Sequence, residues 1–305
     1  MIRIATRNSA LAKAQASQVT ELLGGAELVE VSSDGEPGAK ARFVRGVERV
    51  LLDGEADIGV HSAKDVPAEM PEGLAIAAVP AREDPADVWV GVGGSIDEVP
   101  EGARVGTASL RRRAQLLAAR PDLRVTELHG NVDTRLRKLT EGELDAIVLA
   151  AAGLRRLGRE DEISFAIPAE LMTPAAGQGA LVLQARTDDA AATEAAGVIG
   201  DETALRELTA ERTVVALLDA TCATPIGVHA RVMGARPEGG DPGDGTTSLV
   251  VEAFVGLPDG SEWVRDRVEG EADSPGEAGA VLAERLLGAG AAEILKRAEE
   301  WSGSV

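Results

Sequence analysis

Asp65 is the first candidate for chemistry. It stands in Val60-His61-Ser62-Ala63-Lys64-Asp65-Val66-Pro67, directly after the apolar run Ile58-Gly59-Val60, which reads as a short buried strand. That order puts a lysine and an aspartate at the strand's C-terminal end, where ligands sit in open α/β sheets. A carboxylate there holds a nearby cation or moves a proton. The plainer alternative is that Asp65 caps a helix and Lys64 is a solvated surface charge.

A basic segment is the second candidate. Between Ala103 and Thr140 stand nine basic residues (Arg104, Arg111, Arg112, Arg113, Arg120, Arg124, Arg135, Arg137 and Lys138) against three acidic ones, Asp122, Glu127 and Asp133. The segment is therefore +6 within a chain of −20, which leaves −26 elsewhere. Arginine forks match carboxylate or phosphate oxygens two at a time. Arg111 and Arg112 fall in the first turn of a helix, where cations oppose the helix dipole, and a bound polyanion would compensate them. Ser9, Ser62, Ser109 and Asn131 stand near the starts of strand-following helices, where free backbone N–H groups bind anions. The alternative is a solvated helix face.

Cys222, the one cysteine, lies in the polar turn Thr221-Cys222-Ala223-Thr224-Pro225. A turn cysteine is open to reaction; a small buried hydrophobe is the other reading. No metal site is expected, because His61, His129 and His229 are far apart and no His-x-x-x-His or Cys-x-x-Cys pair occurs. Phosphate-loop, dinucleotide and Gly-x-Ser-x-Gly patterns are also missing.

The elements that must position these groups alternate. Ile2 to Thr6 reads as a strand, followed by a helix that starts at Asn8-Ser9 and runs to about Leu23. A strand at Glu27 to Ser32 and a loop at Ser33 to Ala39 come next. Then a helix carries Phe43, Val47, Val50 and Leu51 on one face. After Leu74 to Val79, the stretch Pro80 to Pro85 reads as a linker. Strand-then-helix then repeats three times: Arg104 to Ala119 with Thr107-Ala108-Ser109 at the junction, Arg124 to Glu141, and Asp145 to Leu157. Such alternation predicts sheets of parallel strands with helices on both faces. Thr173 to Gly179 is a second linker, before a strand at Ala180 to Ala185. Two linkers joining the same two domains make a hinged, two-lobed molecule with a ligand cleft. The last third predicts an α+β domain: a helix at Glu202 to Leu218, two or three strands, and closing helices at Ser274 to Leu287 and Ala291 to Glu300. The expected domains are 1–81 with 180–199, 86–173, and 202–305.

Composition narrows the class. A 305-residue chain with 44% apolar residues builds real cores, here from Ala, Val, Leu and Ile, since aromatics are 2%. A net charge of −20 argues against general binding to nucleic acid or anionic membranes. Aromatic platforms for single strands are lacking too. One cysteine fits a reducing compartment. The start, Met1-Ile2-Arg3-Ile4-Ala5, has no apolar leader pattern, and the longest apolar run is too short to span a bilayer. These readings predict a cytoplasmic protein.

The chain resembles the porphobilinogen deaminase (hydroxymethylbilane synthase) family over nearly its whole length. The resemblance rests on Ala5-Thr6-Arg7-Asn8-Ser9, Val60 to Pro67, Arg82-Glu83-Asp84-Pro85, and Val105 to Arg112. It continues through Gly130 to Leu136, Ala152 to Gly158, Gly177-Gln178-Gly179-Ala180, and Cys222 before Pro225-Ile226-Gly227. It implies two domains like type-II periplasmic binding proteins, joined by a double crossover hinge, plus a C-terminal α+β domain. It implies a monomer that links four porphobilinogen units head to tail, releasing ammonia, into hydroxymethylbilane for tetrapyrrole synthesis. A dipyrromethane cofactor, made from substrate, would be joined to Cys222 by a thioether.

Carried over position by position, Asp65 would be the catalytic carboxylate facing pyrrole N–H groups. Arg111, Arg112, Ser109, Thr107, Lys64 and Gln178 would hold the cofactor. Arg7, Ser9, Arg135, Arg156, His129, Lys40 and Phe43 would meet substrate. Departures from the family pattern are His129 for an arginine, Ala108 for a serine, Ala220-Thr221 for a glycine pair, Arg45 for a lysine, and a shorter Ser33 to Ala39 loop. The rival reading is a non-catalytic cleft protein for a small polycarboxylate.

Overall fold

The computed structural model describes residues 1–31, 41–221, 224–234 and 247–302. Two five-stranded sheets and one three-stranded sheet organise it.

The first lobe begins with β1 (Arg3–Arg7), α1 (Ala10–Leu22), β2 (Glu27–Val31), α2 (Ala41–Leu52), β3 (Ile58–Ser62) and β4 (Leu74–Ala78). The chain then crosses through 80–85 into the second lobe. That lobe holds β5 (Asp87–Gly91), β6 (Arg104–Gly106), α3 (Leu110–Ala119), β7 (Arg124–Thr126), α4 (Val132–Thr140), β8 (Ala146–Ala150), α5 (Ala151–Arg156) and β9 (Phe165–Ala166). A second crossover, 173–179, returns the chain to the first lobe as β10 (Leu181–Arg186) and α6 (Ala190–Gly197).

The strand orders β2-β1-β3-β10-β4 and β7-β6-β8-β5-β9 are the same pattern used twice. β1, β2 and β3 run parallel, as do β6, β7 and β8. The expected parallel strands are there, and one strand in each sheet runs against them: β10 is antiparallel to β3 and β4, and β5 to β8 and β9. These two strands carry the chain in from the other lobe, so no right-handed helical crossover sets their direction. Central strands such as β8 (Ala-Ile-Val-Leu-Ala) are buried on both faces, which is why they read as unbroken apolar runs.

Helix α6 is absent from the sequence reading. Its Ala-rich stretch has no apolar period to betray it; the Asp189 side chain caps it by accepting from Ala192 N at 2.9 Å.

The third domain follows as α7 (Glu202–Leu217), β11 (Ile226–Met233), β12 (Ser248–Gly256), β13 (Trp263–Glu271), α8 (Pro275–Gly288) and α9 (Ala291–Ser302). Its antiparallel sheet packs Val228, Leu249 and Val251 against Val214, Leu282 and Leu286 of the helices. No helix among the described residues is long and apolar enough to cross a membrane.

Candidate functional site at the lobe junction

β3 ends at Ser62 and the chain makes one 3₁₀ turn, Ala63–Asp65. Asp65 closes that turn rather than capping it. Lys64 is not simply solvated: its Nζ donates to Gln178 Oε1 at 3.1 Å, on the second crossover. Gln178 is fully buried, and its Nε2 donates onward to Pro85 O (2.6 Å) and to Asp87 Oδ1 (3.1 Å).

Asp87 opens β5 and has no solvent exposure. Arg111 grips it with Nη1 to Oδ2 at 2.6 Å and Nη2 to Oδ1 at 3.1 Å; Arg112 adds Nε to Oδ1 at 2.8 Å. Both arginines are themselves buried, with further donations to Thr173 O and Val148 O. Burial pushes the Asp87 carboxyl up, but the charges of Arg111 and Arg112 outweigh it and hold the group well below the usual carboxylate range. The sequence placed Arg111 and Arg112 against the dipole of α3 and assigned the compensating charge to a bound polyanion. The structure finds one compensating carboxylate inside the chain. It is one charge for two guanidiniums, so the trio keeps one positive charge in excess.

Ser109 caps α3, accepting from Arg112 N at 3.4 Å, and its own N–H donates to buried Thr107 Oγ1 at 3.2 Å. Ser9 caps α1 in the same way, accepting from Ala12 N at 3.3 Å. A hydroxyl that accepts at a cap keeps its proton available to donate.

Arg7 ends β1. Burial lowers its pKa, and the Asp65 charge opposes that shift, so the two lie within electrostatic reach. Arg135, on α4, is lowered to about 10 by burial and by the charge of Arg112. Arg135 Nε donates to Gly130 O at 2.9 Å. Lys64, Gln178, Arg111 and Arg112 are thus joined by hydrogen bonds through Asp87, with Arg135 within reach of the Arg112 charge and Arg7 within reach of Asp65.

Other expected residues fall differently. Arg156, at the end of α5, braces the junction: Nη2 donates to Gly179 O at 2.8 Å and Nε to Gln18 Oε1 of α1 at 3.3 Å. His129 is exposed and paired with Glu127 Oε1 at 2.6 Å. Lys40 and Cys222 lie outside the described residues, as does the Phe43 side chain. On either side of 222–223, Thr221 N donates to Thr224 Oγ1 at 2.7 Å. Before Thr221, α7 ends in a reverse turn with Asp219 at φ 49° and Ala220 N donating to Val215 O at 3.0 Å.

Three buried groups escaped the sequence reading: Asp87, Glu211 and the pair His61–Gln184. Glu211 of α7 meets Arg82 from the first crossover and Gly177 N from the second (2.6 Å), with Ala230 N of β11 at 2.8 Å. His61 Nε2 lies 3.1 Å from Gln184 Oε1, and Gln184 Nε2 donates to buried Glu48 at 3.1 Å. Burial drives the His61 pKa down to about 4, against the Gln184 bond. A charged residue inside an otherwise apolar strand, as in Asp87-Val88-Trp89-Val90, was the available signal. Among the described residues, no group of three or more His, Cys, Asp or Glu side chains is placed to hold a metal ion.

This fold and junction define a two-lobed α/β architecture in which two crossovers join the lobes, arginines cluster at their junction, and a third domain is set against them. The model for "porphobilinogen deaminase, dipyromethane cofactor binding domain" matches residues 2–194, and that for the family's C-terminal domain matches 205–288. A porphobilinogen deaminase of Geobacter sulfurreducens is 40% identical over 309 residues, covering 96% of this chain and 93% of that protein. Another from Desulforudis audaxviator is 43% identical over 311 residues, covering 96% of each. The chain belongs to the porphobilinogen deaminase family.

Solved structures with a similar trace include the periplasmic VFT2 domain of Bordetella pertussis BvgS (TM-score 0.39, 16% identity, 65% of this chain and 86% of that one). An amino acid transporter's substrate-binding protein from Streptococcus pneumoniae is comparable (TM-score 0.39, 14% identity, 65% and 86%).

Proposed function

We propose that this chain condenses four porphobilinogen units head to tail into hydroxymethylbilane, releasing one ammonia per unit, from a dipyrromethane primer held by a thioether to Cys222. The observation that carries the reading is the hydrogen-bonded run Lys64–Gln178–Asp87–Arg111/Arg112 beside Asp65. It gathers guanidinium donors and an excess positive charge next to one carboxylate. Porphobilinogen carries an acetate and a propionate, so primer and growing chain are polycarboxylates, and this donor set fits them. The primer supplies a pyrrole with a free α-carbon.

In this reading Arg111, Arg112, Ser109, Thr107, Lys64 and Gln178 hold the primer's carboxylates, while Arg7, Ser9 and Arg135 hold the incoming unit. Each coupling forms a carbon–carbon bond at the aminomethyl carbon. It breaks the carbon–nitrogen bond and loses one α-proton; after four couplings, release would break the carbon–carbon bond to the primer, return a proton to the primer's α-carbon and add the hydroxyl of a water to the freed methylene carbon. Asp65 stabilises the positive charge that develops at the pyrrole nitrogen as ammonia leaves, and it accepts the proton. Arg156 and His129 act at the margin: one braces the junction, and the other offers a carboxylate contact that competes with Glu127. Every proposed group comes from one chain, so a monomer suffices. The single cysteine, which must stay reduced until it is loaded, suits the cytoplasm.

The test is intact mass with peptide mapping around Cys222, together with product formation from porphobilinogen. An adduct of two linked pyrrole units on Cys222, with ammonia and hydroxymethylbilane released, is expected. A cysteine still unmodified after incubation with porphobilinogen, and no product, would sink the reading.

A further inference from the structure

Asp87 costs more than a stabilising device needs. Burying a carboxylate carries a large desolvation penalty, and a buried pair often does no better than an apolar replacement. Here one carboxylate serves two guanidiniums. Its own place is fixed by both crossovers, because it begins the strand that follows the first and accepts from Gln178 on the second.

The geometry organises the arginines before any ligand arrives. Unheld, two neighbouring guanidiniums in the first turn of α3 would repel each other and the helix dipole, and would sample many rotamers. Asp87 takes both forks of Arg111 and the Nε of Arg112. An arginine has five N–H donors. The protein bonds leave at least two of them on each guanidinium, together with the trio's unbalanced positive charge.

We infer that Asp87 is a positioning residue for carboxylate binding: it presets Arg111 and Arg112 so that a ligand carboxylate is met without reorganisation. This rests on the reading of that pair as the grip on the primer's carboxylates. Removing Asp87 then loosens the hold on the primer's carboxylates, which lowers the share of chains that become loaded and the affinity for a free polycarboxylate more than kcat.

The test compares wild type, Asp87→Asn, Arg112→Lys and the double variant, each checked by thermal melt. The readouts are the fraction of chains bearing the two-pyrrole adduct, KM and kcat for porphobilinogen, and the affinity of benzene-1,2,4,5-tetracarboxylate by calorimetry. Asp87→Asn is expected to lower the adduct-bearing fraction and to weaken probe affinity about tenfold or more, with kcat per adduct-bearing chain within about threefold. In the Arg112→Lys background the same change is expected to have an effect of about twofold or less. Unchanged probe affinity in folded Asp87→Asn, or effects that multiply independently, would overturn the inference.

Should Asp87→Asn not fold, Asp87→Asn/Arg111→Gln removes one charge of each sign. Weaker probe binding than Arg111→Gln alone supports the role, and equal binding overturns it. A wild type that forms no product sinks the functional reading instead, while probe affinity still decides what Asp87 does.

Discussion

Arg82 and Glu211 form a buried two-pronged pair, Nη1 to Oε1 at 2.8 Å and Nη2 to Oε2 at 3.2 Å. Through it, the first crossover is bolted to α7 of the third domain. Glu211 also accepts from Gly177 N, so both crossovers meet on one carboxylate. Burial pushes the Glu211 carboxyl up, and Arg82 with His229 outweighs that and keeps it low. Arg82 Nε adds a bond to Gln178 O at 3.0 Å.

Glu211→Gln leaves the buried Arg82 cation with only its longer ion pair to Glu207, 3.3 Å away. Breaking such a pair costs about 3–5 kcal/mol. Denaturant unfolding is expected to show a loss toward the lower end of that range, because Glu207 still faces Arg82. A change below about 1 kcal/mol would mean that the pair does not join the domains.

Gly179→Ala tests how closely the crossovers approach. Gly179 has φ +87°, and a Cβ there would lie 2.1 Å from Glu83 O, a backbone atom of the other crossover. Gly142 has a similar φ of +77° but nothing within 4 Å. Gly142→Ala is expected to cost about 1 kcal/mol from backbone strain alone. Gly179→Ala is expected to cost at least about 3 kcal/mol, since a displaced backbone is added to the strain. Thermal melts of the two variants compare them directly, and equal melting points would count against the close approach.

Asp65→Asn keeps the shape of the 3₁₀ turn and removes the charge. Losing one electrostatic stabiliser of a developing charge costs about 10²–10³ in kcat. The expected result is a fall of at least about a hundredfold in product formation with an unchanged melt. Turnover near wild type would remove Asp65 from the chemistry.

His61 gives the fold an acid limit. Its folded pKa, about 4, lies below the usual 6.5, so the unfolded chain binds its proton first. The stability this contributes is complete above pH 6.5 and is lost as pH falls toward 4. The loss is at most about 3 kcal/mol. Urea unfolding at pH 7 and pH 4.5 should show a smaller pH dependence for His61→Asn than for wild type. Equal pH dependence would mean that His61 is not the group responsible.

Much of this molecule is legible in its residues. Strand–helix alternation, the Pro- and Gly-marked crossovers, the caps Ser9, Ser109 and Asn131, and the ordered motifs of the family are local signals. They work because hydrophobic period and turn chemistry act over a few residues. The positions of Asp65, Arg111 and Arg112 at strand and helix ends follow from the same signals.

What the tertiary structure alone decided is how distant groups pair. Asp87 and Arg111 are separated by 24 residues, and Arg82 and Glu211 by 129; no local pattern marks either pair. The antiparallel insertion of β5 and β10 likewise depends on the chain crossing twice between lobes. Charge type and turn chemistry are properties of a short stretch. Which buried carboxylate neutralises which guanidinium, and how much positive charge is left for a ligand, is settled only when both crossovers and α7 close on the same few ångströms.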